Sequence, residues 1–276
     1  MTNWSEIDRI TKQWLKEAGE RIRQSFSKQL QIATKANRND LVTNIDQDTE
    51  QFFIERIRKT YPDHKILGEE GYGDEINGTN GVIWVIDPID GTMNFVHMQR
   101  HFTISIGIFE DGKGKLAYIY DVTNDELYHA MNGKGAFYNE KQLPKFSEKL
   151  LCDCIVGLNA IWLTENRRID YRILIPLVKS VRGTRSFGSA ALEMAYVATG
   201  WMDAYISLRL SPWDFAAGMI IVEELGGKAT KLNGEPLSIL EKSSVFLARS
   251  DVHEQISEQF LSNYVENPMR DYRKKR

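Results

Sequence analysis

Apolar residues recur at three- and four-residue steps through Trp4, Ile7, Ile10, Trp14, Leu15, Ala18, Ile22 and Phe26, which predicts a long amphipathic helix with one buried stripe. A polar connection over 35–40 leads to Leu41-Val42-Thr43. A second helix is then predicted around 48–60, with Phe52, Phe53 and Ile57 on its apolar face. Tyr61-Pro62 ends it, because a residue before proline is steered out of the helical region. After this the period shortens. Apolar runs at 65–68, 82–86, 103–109, 115–121 and 126–131, divided by turn residues, read as strands. Asp111-Gly112 and Asn132-Gly133 read as hairpin turns. The first half is therefore two helices and a mostly antiparallel sheet.

The second half changes character. Helices are predicted at 171–179, 189–199 and 214–225, the last stopped by Gly226-Gly227. Strands are predicted at 203–207, 228–232 and 245–248, with Asn233-Gly234 as a turn. Such alternation implies α/β layers. The charge-rich stretch 139–149 is the expected boundary between an N-terminal α+β domain, 1–145, and a C-terminal α/β domain, 146–276. The run 271–276 reads as a solvated charged tail.

Composition narrows the function classes. Lys+Arg 35 against Asp+Glu 38 leaves a net charge of −3, so no global basic field is available to hold nucleic acid or an anionic membrane. The N-terminus lacks the basic-then-apolar order of a signal peptide, and no stretch has the ~18 apolar residues of a membrane helix. A cytoplasmic location is expected. The two cysteines, Cys152 and Cys154, stand too close for a disulfide within one strand and do not complete a zinc set. They are expected as reduced thiols in a packed strand. Neither opens a Cys-x5-Arg phosphatase motif: six positions on lie Leu158 and Ala160.

Candidate chemistry concentrates in carboxylates. The apolar run Ile83-Trp84-Val85-Ile86 leads into Asp87-Pro88-Ile89-Asp90-Gly91-Thr92. Pro88 stiffens this turn and Gly91 permits an unusual backbone angle, so both carboxylates and the Ile89 carbonyl can face one spot. An all-oxygen set suits a hard divalent cation such as Mg²⁺. A helix starting just after Asp90 would add the N–H groups of Gly91 and Thr92 as an anion pocket. Gly68-Glu69-Glu70-Gly71 closes the preceding strand, and Ser211-Pro212-Trp213-Asp214 opens a helix. Glu69, Asp87, Asp90 and Asp214 together would put about four negative charges in one pocket. At about 4 Å each pair repels by roughly 4 kcal/mol even at an effective dielectric of 20. Bound cations or raised pKa values are the two remedies.

These stretches resemble the signatures of the inositol monophosphatase family. The resemblance is carried by Gly68-Glu69-Glu70, by Asp87-Pro88-Ile89-Asp90-Gly91-Thr92 and by Trp213-Asp214-Phe215-Ala216-Ala217-Gly218, with Asp40-Leu41-Val42-Thr43-Asn44-Ile45-Asp46 before them. It implies a layered αβαβα sandwich of the inositol monophosphatase/fructose-1,6-bisphosphatase type, two to three Mg²⁺ ions, lithium sensitivity and a homodimer. It further implies that Glu69, Asp87 and the Ile89 carbonyl hold one ion, that Asp87, Asp90 and Asp214 hold a second, and that Glu69 borders a third. Gly91 and Thr92 would cradle phosphate, and Asp46 would orient the Thr92 hydroxyl toward the attacking water. Glu70 would lie behind the ligands. Asp90, Asp214 and the loop Gly188-Ser189-Ala190 would face the substrate, a small phosphate monoester.

One position departs from the pattern. Members that prefer inositol carry a glutamate seven residues before the last metal aspartate, and here that residue is Ser207. Arg209 nearby would suit a substrate with a second phosphate. Inositol 1-phosphate is the leading substrate, with NADP(H), fructose 1,6-bisphosphate and 3′-phosphoadenosine 5′-phosphate as alternatives. Phosphatases of the haloacid-dehalogenase type separate their aspartates by one residue, whereas two intervene between Asp87 and Asp90. A non-catalytic, metal-binding regulatory protein is the alternative of another class, and it has no need of Thr92 and Asp46 together with the carboxylates.

Overall fold

The computed structural model describes residues 2–27, 30–34, 41–262 and 264. The predicted connection at 35–40, with Asp40, and the tail at 271–276 lie outside the described residues. In chain order the elements are α1 (Trp4–Ser25), β1 (Ile32–Thr34), β2 (Leu41–Thr43), α2 (Asn44–Thr60), β3 (Lys65–Gly68), β4 (Val82–Asp90), α3 (Thr92–Met98), β5 (Thr103–Glu110), β6 (Lys113–Asp121), β7 (Glu126–Met131), β8 (Gly135–Tyr138) and β9 (Lys141–Gln142). They continue with β10 (Ile155–Leu158), α4 (Leu174–Ser180), β11 (Gly183–Arg185), α5 (Ala190–Ala198), β12 (Ala204–Leu210), α6 (Pro212–Glu224), β13 (Gly227–Thr230), β14 (Ser243–Arg249) and α7 (Ser250–Ile256).

The strands β3 to β9 form a sheet in sequence order, in which only β3 and β4 run parallel. A second sheet has the order β11-β10-β12-β14-β13. Alternation along single strands sets the layers. Trp84 and Ile86 of β4 pack with Ile7, Leu15 and Ile22 of α1 and Phe53 of α2, whereas Ile83 and Val85 turn to the opposite face. There they join Met194 of α5, Phe215 and Ile221 of α6, and Val245 and Leu247 of β14. Phe246 and Ala248 face outward again, onto Leu174 and Leu177 of α4 and Val252 of α7. The result is the expected αβαβα sandwich, with α5 and α6 filling the space between the two sheets.

Several local expectations hold in detail. Asp111 and Gly112 both have positive φ, 51° and 77°, as a two-residue hairpin turn between β5 and β6 requires. Other boundaries move. The second helix begins at Asn44 rather than near 48, because Thr43 caps it by accepting from the Ile45 N–H at 3.1 Å. The helix expected at 171–179 opens with a 3₁₀ turn, Tyr171–Ile173, before α4. The cysteines are not in a strand. Exposed Cys152 lies in the 3₁₀ turn Leu151–Asp153, and buried Cys154 follows it, its N–H donating to Leu151 O so that extended backbone starts only at Ile155. Among the described residues no helix is long and apolar enough to cross a membrane.

Candidate active site at the converging strand ends and helix starts

The site is built where β3 and β4 end. Their parallel register pairs Gly68 with Ile86, and the Glu69 N–H donates to Ile86 O at 3.2 Å, so Glu69 emerges beside Asp87. Glu50 of α2 fixes this exit. Its buried carboxylate accepts from the Glu70 N–H at 2.8 Å and the Tyr72 N–H at 3.0 Å. Gly68 is required here, since a Cβ would stand 2.5 Å from that carboxylate.

The ladder between β4 and β5 is irregular between Asp87 and Asp90, where Asp87 pairs with Ser105 but Asp90 with Thr103. Asp87 Oδ1 accepts from the Ile89 N–H at 3.0 Å. This tight turn aims both carboxylates to one side. Gly91 follows at φ 97°, a backbone angle that favours glycine, and caps α3; a Cβ would also press to 3.1 Å from His101 O and from Ser189 Cβ. Thr92 is thereby the first residue of α3. Its hydroxyl lies 3.0 Å from Asp46 Oδ1 and 3.1 Å from Ile89 O. Asp46 is held in turn by Thr43, whose N–H donates to Oδ2 at 2.9 Å and whose hydroxyl donates to the same oxygen.

The other wall comes from the central helices. Asp90 is seated on the N-terminus of α5: the Ser189 hydroxyl donates to Oδ2, the Ala191 N–H donates to Oδ2 at 2.8 Å, and the Ala190 N–H to Oδ1 at 3.2 Å. Those N–H groups are thus directed at Asp90 rather than left open toward solvent. Asp214 stands in the first turn of α6, where its Oδ2 accepts from the Ser211 N–H at 2.7 Å.

Carboxylate oxygens of Asp87, Asp90 and Asp214 come within 4.8 Å of one another, although they arise from a strand end and a helix start far apart in sequence. Glu69 lies outside that trio but within hydrogen-bond reach of Asp87. Burial, then repulsion from Glu69, Asp90 and Asp214, pushes the Asp87 carboxyl well above the usual range. Burial and the Asp90 charge do the same for Asp214. Asp90 is pushed up only to about 6, because its donors from Ser189, Ala191 and Ala190 offset part of the burial cost. Asp46 is also raised by burial, against the lowering effect of its bonds from Thr43. Oxygen donors that destabilise one another when ionised fit a hard divalent cation, whose charge would remove the repulsion.

A cavity of about 250 Å³ opens beside Asp90 and Asp214, with Gly188, Ser189 and Ala190 on its rim and Trp162, Tyr205 and Ser207 on its wall. Ser207 is buried there, and Arg209 is exposed on the same strand and does not line it. Three residues that sequence reasoning passed over fix the backbone around the site: Glu50 and Asn94, and Glu193, which also lines the cavity. The Asn94 amide donates to His101 O at 2.8 Å and to Phe187 O at 2.6 Å, tying α3 to the rim loop. A sequence signal existed for Glu193, the one charged residue within the otherwise apolar α5 segment AALEMAYVA.

An acidic, oxygen-only centre with an adjoining small cavity, carried on an αβαβα sandwich, defines a metal-dependent phosphate-ester hydrolase. Comparison with known proteins makes the assignment specific. Residues 3–265 match the model of the inositol monophosphatase family. The chain is 59% identical over 261 residues to the inositol-1-monophosphatase of Bacillus subtilis, covering 95% of this chain and 98% of that protein. It superposes with a TM-score of 0.84 on SaIMPase-II with inositol monophosphate bound, at 41% identity over 93% of this chain and 94% of the other. It superposes with a TM-score of 0.87 on an IMPase/NADP phosphatase complexed with Mg²⁺ and phosphate, at 30% identity over 96% and 97% of the two chains. This chain belongs to the inositol monophosphatase family, and it is a phosphatase of that family.

Proposed function

We propose that the chain hydrolyses inositol 1-phosphate with Mg²⁺ and without a covalent phosphoenzyme. The observation that carries this reading is the meeting of Asp87, Asp90 and Asp214 within 4.8 Å beside a Thr92 hydroxyl that is itself paired to Asp46. Glu69, Asp87 and the Ile89 carbonyl would hold one ion; Asp87, Asp90 and Asp214 a second; and Glu69 would border a third. Bound Mg²⁺ supplies Lewis acidity toward phosphate oxygens and water, and cancels the negative charge that would otherwise repel a phosphate dianion. The chain's own residues do the rest. The Thr92 hydroxyl, donating to Asp46, keeps its lone pairs free to accept a hydrogen bond from the attacking water. Asp46 fixes the direction of that hydroxyl and would take its proton as Thr92 Oγ1 takes one from the water. Gly91 and Thr92 present backbone N–H groups to the phosphate, and the rim Gly188, Ser189 and Ala190 bounds the leaving alcohol.

Ser207 on the cavity wall, in place of the glutamate of inositol-preferring members, supports a second substrate reading with the same chemistry. NADP(H), fructose 1,6-bisphosphate and 3′-phosphoadenosine 5′-phosphate are its candidates. On either substrate reading the protein is a cytoplasmic homodimer inhibited by Li⁺, which would compete for one of the carboxylate sites. A phosphate-release screen over these four compounds, with and without Mg²⁺ and Li⁺, tests it. Release that requires Mg²⁺, falls with Li⁺ and is fastest on inositol 1-phosphate supports the first reading. Fastest release from another of the four supports the second, and no release from any of them contradicts both.

A further inference from the structure

We infer that Glu193 is a positioning residue for substrate binding: its carboxylate clamps the backbone of the rim loop at Phe187 and Gly188, beside the substrate cavity. The inference rests on the proposed phosphatase reading of this cavity. Glu193 lies in the first turn of α5, its N–H donating to Ser189 O at 3.1 Å. From there the side chain folds back past the helix start, and Oε1 accepts from both the Phe187 N–H at 2.7 Å and the Gly188 N–H at 3.1 Å. These are the two residues before the helix cap. Without Glu193 the N–H of half-buried Phe187 loses its acceptor and that of exposed Gly188 is left to water, so the loop is no longer tied to α5.

The loop is gripped from three directions. Glu193 holds its N–H groups, Asn94 holds the Phe187 carbonyl, and the next residue, Ser189, donates to Asp90. Gly188 sits at φ 80° with the Asn94 amide 3.1 Å from where a Cβ would be, so the loop has one tight path between its anchors. Glu193 is itself 3% exposed and lines the same cavity as Asp90, Ser207 and Asp214. Its second oxygen, Oε2, is buried without a hydrogen-bond partner, against Tyr205 and Gly157. A buried carboxylate with one unpartnered oxygen is costly for a group with only a packing role, since an apolar side chain of similar volume would fill that space more cheaply. The clamp supplies the reason for it.

The prediction separates position from packing. In Glu193→Ala the loop loses its acceptor, and the KM for inositol 1-phosphate rises about tenfold while kcat at saturating Mg²⁺ changes less than about threefold. Glu193→Gln keeps an oxygen that can accept both N–H groups, and restores KM to within about threefold of the parent. Independently of turnover, amide hydrogen exchange of the peptide covering 186–189 accelerates in Glu193→Ala and returns to the parent rate in Glu193→Gln. Parent-like exchange and KM in Glu193→Ala, or a Gln variant as impaired as the Ala variant, overturn the inference. The exchange measurement decides the clamp even if the parent protein hydrolyses none of the phosphate esters, an outcome that would instead remove the phosphatase reading.

Discussion

The hydroxyl of Thr92 lies 3.0 Å from Asp46 Oδ1, joining the start of α3 to the first turn of α2 across 46 residues of chain. Since Asp46 is already saturated on its other oxygen by Thr43, its free lone pairs are committed to Thr92. The pair therefore fixes the direction of one oxygen, Thr92 Oγ1, two residues on from Asp90 in the chain. Thr92→Val, which removes the hydroxyl and keeps the shape, is expected to lower kcat by about 10² to 10⁴ and to cost about 1–3 kcal/mol of stability, because buried Asp46 Oδ1 loses its donor. Asp46→Asn is expected to lose activity and, in addition, roughly 1 kcal/mol of stability, because the same carboxylate caps α2. Steady-state kinetics and thermal melts of the two variants separate these effects.

Gly91 turns the chain from β4 into α3 at φ 97°, with His101 O and Ser189 Cβ each 3.1 Å from the position of a Cβ. Gly91→Ala is expected to cost about 1–3 kcal/mol of stability. It also displaces Thr92, so activity should fall further than the loss of folded protein accounts for. Denaturant unfolding alongside activity per folded molecule checks this.

The raised carboxyl pKa values fix a sign for pH dependence. Asp90, pushed up to about 6 from an ordinary value of 3.8, binds its proton more tightly in the folded than in the unfolded chain. Its contribution to the stability of the metal-free protein is present below about 4 and is lost as pH rises through about 6. Asp87 and Asp214, shifted in the same direction, extend the loss upward. Mg²⁺ must displace those protons, so the stabilisation it gives should grow from pH 5 to pH 7, approaching about 2.7 kcal/mol at a hundredfold excess over its Kd. Asp90→Asn should abolish most of this gain and lower the rate by more than about a hundredfold. Thermal melts across pH with and without Mg²⁺ give the answer.

Ser207 on the cavity wall offers a test of substrate choice. Ser207→Glu introduces a carboxylate acceptor for sugar hydroxyls, and is expected to lower KM for inositol 1-phosphate about tenfold. KM for p-nitrophenyl phosphate, which has no such hydroxyls, should stay the same or rise. Parallel kinetics on the two compounds resolve it.

Much of this arrangement was legible in the chain because its elements are strongly periodic. The unbroken apolar runs at 82–86 and 245–248 showed strands buried on both faces, and the α1 stripe showed a helix with one buried face. The carboxylates Asp87, Asp90 and Asp214 stood out as acidic residues at the ends of apolar runs. Among the elements that stayed hidden, with β1, β8, β9 and α7, were β10 and β11, three or four residues long and paired to each other in parallel, whose length carries no usable period. Glu50, Asn94 and Glu193 stayed hidden for a different reason. Each bonds to backbone groups of a loop, and backbone groups leave no mark on the sequence that would point to the side chain serving them. Cys152 and Cys154 misled because one-residue spacing suits a strand, whereas the local hydrogen bond from Cys154 N–H to Leu151 O makes a turn.

Hydrolysis should depend on cations gathered by these acidic side chains, and the decisive measurement is phosphate release from inositol 1-phosphate across a Mg²⁺ titration, in the parent protein and in Asp87→Asn. Release by the parent should rise from background with added Mg²⁺ and saturate, and Asp87→Asn should show none above background at any concentration. Undiminished release in the presence of a chelator, or parent-like release by Asp87→Asn, would contradict it.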